Sequence, residues 1–223
     1  ALAKGFSGVR LEIIENLLTL LNAGITPVIY KQGSVGASGE LVPLAHMALL
    51  LTGKGPARRN GRPITGAEGP KAAGLQPLEL EAKEALALVN GTQAMAAVCA
   101  LTLDRALHLA KVADIAGAMT LEALAGTAAA FDARIHQVRP IPGQGEVAEN
   151  VLKVVGGSSI TDPRLNSRVQ DAYSLRCMPQ VHGSVREVLK FVRYLLEIEL
   201  NSATDNPLVF PEDGDFLSGG NFH

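Results

Sequence analysis

TQAMAAVCALTLDRALHLAKVADIAGAMTLEALAGTAAA, residues 92–130, is built from alanine, leucine and valine, with Gly117 and Gly126 as its only weak points for a helix. The run predicts one or two long helices. Small side chains on all sides let helix axes approach closely, so these helices belong inside a bundle or an oligomer core, and partner subunits are implied.

Working outward from this run, Leu11, Ile14, Leu17, Leu18 and Leu21 recur at helical spacing, and Gly24 then Pro27 supply a stop signal. A second helix is predicted over 41–51, with Leu41, Leu44, Ala45 and Ala48 on one face. It opens just after Gly39 and ends near Gly53. Residues 53–74 mix glycine, proline and charge, and Asn60-Gly61 between Arg58 and Ile64 predicts a tight hairpin turn, with room for two short strands. A short helix is expected over 80–89. Downstream follow a loop at 140–145, a helix over 146–155 and a polar loop over 156–166. The last strong amphipathic helix carries Val185, Val188, Leu189, Val192, Leu195 and Leu196, and Asp205-Asn206-Pro207 starts an irregular end. The expected fold class is mainly α, a bundle of long helices with a small irregular or hairpin excursion near 53–74 and no sheet of any size.

The 223 residues, 47% hydrophobic and 19% charged, suffice for one large domain or two small ones. A formal net charge of −2 with scattered Lys and Arg provides no concentrated basic patch, so nucleic acid is not an expected partner. Cys99 and Cys177 have neither metal-ligand nor redox spacing, which points to buried reduced thiols in a reducing, cytoplasmic compartment. The uncharged run 85–103 is interrupted by Asn90-Gly91-Thr92-Gln93, a polar break that argues against a membrane segment. Around Lys4 there is no apolar stretch of secretory type. A start without methionine and an end at a glycine-rich turn read as an excerpt of a longer chain.

Gly33-Ser34-Val35-Gly36-Ala37-Ser38-Gly39 lacks the Lys-Ser/Thr pair of a P-loop and the spacing of a dinucleotide fingerprint. Taken alone, such a cluster is a flexible interhelical turn. The longer string GSVGASGELVPLAH, 33–46, closely resembles the signature of the aromatic amino acid ammonia-lyase family, in which Ala-Ser-Gly cyclises into a methylidene-imidazolone group. The residue types suit that chemistry. The Gly39 amide must attack the Ala37 carbonyl, a bent backbone path least hindered without a Cβ, and Ser38 must lose its hydroxyl as water.

ALAKGFSGVR at 1–10, LVNGTQ at 88–93, FDARIH at 131–136, QDAYSLRCMPQVHG at 170–183, TDNPLVF at 204–210 and SGGNFH at 218–223 also resemble the histidine branch of that family. The resemblance covers essentially the whole chain and implies a long-helix bundle of the ammonia-lyase/fumarase-like type. Residues 1–91 would hold the prosthetic-group loop, and 92–223 the start of the central bundle and the substrate-pocket loops. It implies elimination of ammonia from L-histidine to give urocanate. The alternatives are a phenylalanine or tyrosine ammonia-lyase, an aminomutase, or a noncatalytic helical oligomerisation fragment.

By the same resemblance Ala37, Ser38, Gly39 and Tyr173 are catalytic, Asn90 hydrogen-bonds near the prosthetic group, and Gln170 lines the same pocket. Arg176 would bind the substrate carboxylate through its planar fork, and Phe222 would pack on the substrate ring. With a reference pKa near 10, Tyr173 acts as a base only beside a positive neighbour, for which Arg176 is the candidate. His46, His136, His182 and His223 are assigned structural roles, since no metal spacing joins them. Helix N-termini next to the tripeptide are expected to stabilise negative charge developing on the ring. Glu40 stands where the family usually has Asp, which moves the carboxylate by about a bond length. The family's homotetramer builds each site from several subunits. Its upstream catalytic tyrosine and downstream ring-binding glutamate lie outside this chain, which predicts that the chain alone is inactive.

Overall fold

The computed structural model describes residues 1–36, 38–165 and 168–220, and among them the chain is mainly α. It divides into two compact units, one made of Ala1–Cys99 with Leu196–His223 and the other of Ala100–Leu195.

In the first unit α1, Leu11–Asn22, leads into β1, Ile25–Pro27, and α2, Leu41–Leu51, follows the glycine-rich loop. The predicted hairpin is present as β2, Pro56–Arg59, and β3, Arg62–Thr65. Asn60 and Gly61 take positive φ angles of 48° and 80°, the combination that a two-residue turn needs to match strand twist. The sheet is larger than expected, because β1 pairs antiparallel with β2 in the register Ile25↔Arg59 and Pro27↔Ala57. Three residues are too few to show a period of two, so only the helix stop was readable there. Two short helices, α3 at Glu68–Ala72 and α4 at Glu84–Val89, complete this part. The second of these is shorter than the 80–89 expected, and Lys83, with φ +73°, marks where the backbone turns. The core gathers Ile13, Leu20, Ile25, Leu50, Leu51 and Leu88.

The alanine-rich run forms one helix, α5, Gln93–Ala123, with Gly117 inside it and Gly126 beyond its end. A 3-10 turn, Ala128–Phe131, and a short α6, Ala133–Gln137, precede α7, Pro142–Val155. The expected loop at 140–145 is therefore partly helix. Proline fits the first turn, where its missing N–H would have had no partner, so Pro142 begins α7 rather than preventing it. After α8, Tyr173–Arg176, and the single residue Cys177 comes α9, Met178–Leu200, which starts well before the apolar periodicity does. A second hairpin, β4 at Leu208–Phe210 and β5 at Asp215–Leu217, belongs to the first unit and occupies what the sequence suggested was irregular. The second unit's core contains Ala118, Leu121, Phe131, Val147, Val151, Leu175 and Met178.

Two predicted helix faces are not the buried ones. Leu11, Leu18 and Leu21 of α1 are exposed while Ile13, Asn16 and Leu20 are buried. On α9, Val185, Val188 and Leu195 are exposed and Leu196 is the one residue of the predicted face that is buried, whereas Met178, Gly183 and Arg186 are buried on the helix's earlier turns. Both helices are apolar on more than one side, so periodicity alone does not choose the face that this chain covers.

Candidate active site

The glycine-rich loop meets the Asn90-Gly91 turn at a single parallel bridge between Gly39 and Gly91. The Gly91 N–H donates to the Ser38 carbonyl at 3.3 Å. Ser38 is half-buried and Gly39 buried, with φ at +87°. A Cβ on Gly39 would overlap the Gly91 carbonyl, so both the backbone angle and the close approach of a second strand require glycine here. The hydrogen bond is made by the flanking Ser38 carbonyl and not by the Gly39 amide, so it does not engage the nitrogen that cyclisation would use.

Two helices begin at this bridge. α2 starts two residues after Gly39 and α5 two residues after Gly91, so the positive ends of both dipoles lie close along the chain to the paired glycines. Each start carries a buried acceptor oxygen, Glu40 Oε2 and Gln93 Oε1, with no hydrogen-bond partner among the described residues. The α5 side is latched from the far end of the sequence. The Thr92 N–H donates to Thr204 Oγ1 at 3.3 Å, and the Thr92 hydroxyl donates to Glu199. Asn90, 5% exposed, closes α4 through its N–H to Leu86 O at 3.0 Å and so precedes the bridge directly.

The remaining candidates that the structure describes lie in the second unit. Gln170 is exposed. Its neighbour Asp171 is buried and accepts from the Thr127 N–H at 2.7 Å, which anchors the segment leading into α8. One turn of α8 separates Tyr173 from Arg176 and lays the guanidinium over the tyrosine ring, 4.1 Å from its centroid. The positive charge thus sits on the ring face. Tyr173 is 70% exposed, and Arg176 Nε is buried without a hydrogen-bond partner among the described residues. Ala37, Phe222 and His223 lie outside the described residues.

The structure therefore brings Ser38, Gly39 and Gly91 together next to Asn90 in one unit, and Tyr173 together with Arg176 in the other. The histidines have specific neighbours. His46 meets Tyr30 edge to face, and His136 Nδ1 lies 2.9 Å from Gln144 Nε2 in a buried setting that lowers its pKa through desolvation. His182 Nδ1 lies 2.9 Å from Asp114 Oδ1. Sequence reading missed Thr204 and Glu199 as supports of the Gly91 turn. Thr204 lies in the TDNPLVF string, yet nothing within that string announces its partner.

All of residues 1–223 match the family model described as aromatic amino acid lyase, and the chain belongs to that family. It is 51% identical to the histidine ammonia-lyase of Alkaliphilus oremlandii over 223 residues, covering 100% of this chain and 44% of that relative. Among solved structures, the histidine ammonia-lyase of Trypanosoma cruzi superposes with a TM-score of 0.84 at 43% identity, covering 100% of this chain and 41% of that one. The phenylalanine aminomutase of Pantoea agglomerans gives a TM-score of 0.89 at 34% identity, with 100% and 46% covered. The chain thus spans less than half the length of each of these proteins.

Proposed function

We propose that the complete protein is an ammonia-lyase that converts L-histidine to urocanate and ammonia, using a methylidene-imidazolone formed from Ala37, Ser38 and Gly39. The observation that carries this reading is the Gly39–Gly91 bridge, where a left-handed, side-chain-free residue is clamped at the start of two helices. Condensation of the Gly39 nitrogen onto the Ala37 carbonyl releases one water. Loss of the Ser38 hydroxyl with its α-hydrogen releases a second. Once formed, the group supplies an electrophilic alkene to which an amine adds, making nitrogen a better leaving group.

The chain's own residues supply positioning and electrostatics. The first turns of α2 and α5 direct N–H groups and dipole ends toward negative charge beside Gly39. Asn90 donates a hydrogen bond near the group, and Gln170 and Phe222 line the pocket. Arg176 binds the substrate carboxylate. Tyr173, with the Arg176 guanidinium over its ring, moves a proton. Residues 1–91 carry the group-forming loop, and 92–223 the start of the bundle and the pocket loops. The enzyme acts in the cytoplasm as a homotetramer on a small amino acid, with no dissociable cofactor.

Identity to histidine ammonia-lyases supports histidine as the substrate. Likeness to a phenylalanine aminomutase keeps a phenylalanine or tyrosine enzyme as the second reading. Intact mass and turnover of the full-length protein decide between them. The expected result is a mass lower by two waters, ammonia release from histidine well above that from phenylalanine or tyrosine, and loss of both the mass deficit and turnover in Gly39→Ala. An unmodified mass in an assembled protein would leave only a noncatalytic scaffold.

A further inference from the structure

The first turns of α9 pack against α5 through a face that the apolar periodicity does not mark. Met178, His182 and Arg186 stand four residues apart and share one side of the helix. Met178 fills the notch left by Gly117, where a Cβ would overlap its sulfur and lie 3.8 Å from His182 Cε1. One turn earlier on α5, Asp114 is 1% exposed and receives three partners. His182 Nδ1 lies 2.9 Å from Oδ1, and Arg186 Nη2 and Asn150 Nδ2 donate to Oδ2. Arg186 also donates to Glu146 Oε1 on α7 at 2.8 Å.

Only Cys177 separates this anchored turn from Arg176. The Cys177 N–H donates to Tyr173 O at 2.9 Å, and the Val181 N–H donates to Cys177 O at 3.0 Å, so helix-type bonds run almost unbroken from Tyr173 into α9. We propose that His182, held by Asp114, is a positioning residue that sets where the Arg176 guanidinium stands and thereby governs recognition of the substrate carboxylate. This rests on the reading of Arg176 as the carboxylate site. His182 is nearer to that site along the chain than Arg186, whose second contact with Glu146 ties it to α7. A small displacement of a binding group is enough to matter, because misplacement by about 1 Å costs up to about a hundredfold in well-aligned sites.

The test uses the full-length enzyme and a double-mutant cycle. His182→Ala is expected to raise KM for L-histidine roughly tenfold while kcat changes by less than about threefold. Inhibition by the decarboxylated amine of the substrate, which has nothing for Arg176 to bind, stays unchanged. His182→Asn, whose amide can take over the Nδ1 bond to Asp114, restores KM. In an Arg176→Ala background His182→Ala adds less than about a twofold effect. If His182→Ala does not fold, His182→Phe keeps the ring volume, drops the donor, and takes its place in every arm. Equal weakening of the amine, no rescue by asparagine, additive losses or an unchanged KM would each overturn the proposal. An Arg176→Ala enzyme with unchanged KM would instead remove the carboxylate assignment beneath it.

Discussion

Glu84 is 1% exposed, and its carboxylate is surrounded by donors. Arg10 grips it with Nε at 2.8 Å and Nη2 at 2.9 Å, and the backbone N–H groups of Arg10 and Glu81 add two more bonds. The Arg10 contact outweighs the cost of burial and holds the Glu84 pKa at about 2, against an ordinary 4.5. Because the folded value is depressed, the stabilisation is complete above about pH 4.5 and disappears as pH falls through about 2. The shift corresponds to about 3 kcal/mol at neutral pH. Glu84→Gln should therefore lower unfolding stability markedly at pH 7, and the gap from the parent should shrink steadily below pH 4.5 in denaturant titrations. A gap that did not change with pH would place the effect in packing instead.

Helix contacts depend on two glycines with different neighbours. A Cβ on Gly183 of α9 would lie 2.6 Å from the Gln144 backbone nitrogen of α7, whereas one on Gly117 of α5 would meet the flexible end of Met178. Backbone cannot step aside and a thioether can, so Gly183→Ala should cost about 1–3 kcal/mol or more and Gly117→Ala distinctly less, as thermal unfolding would reveal. Gly117 illustrates what could be read in advance. It appeared as a weak point of a helix and is where a neighbouring helix seats. The long helices and the Asn60-Gly61 hairpin were legible because each has a local pattern. The buried face of α9 was not, since Arg186 lies inward where Asp114, seventy-odd residues earlier, and Glu146 both pair with it. The Gly39–Gly91 bridge was unreadable for the same reason: each glycine announces a turn, and neither names its partner.

Across the whole molecule, large apolar side chains stand exposed along α5 and α9, including Leu101, Leu109, Met119, Val188, Phe191 and Tyr194. Among the described residues no helix is long and apolar enough to cross a membrane. Large apolar side chains left exposed in such number are surface that a partner can cover. The relatives are more than twice as long as this chain, and the family resemblance implies a tyrosine and a glutamate of the site outside residues 1–223. Residues 1–223 produced alone should accordingly show no measurable ammonia release from histidine, while the full-length protein does. Turnover by the isolated 223 residues would mean that the site is complete within them.

The latch at Thr92 also has a temporal side. A ribosome delivers Ser38 and Gly39 long before Gly91, and Gly91 long before the Glu199 and Thr204 oxygens that hold its turn. Whatever depends on this assembled corner must await emergence of the later segments, so nascent polypeptides halted upstream of Thr204 would carry Ser38 and Gly39 without the support that holds the Gly91 turn.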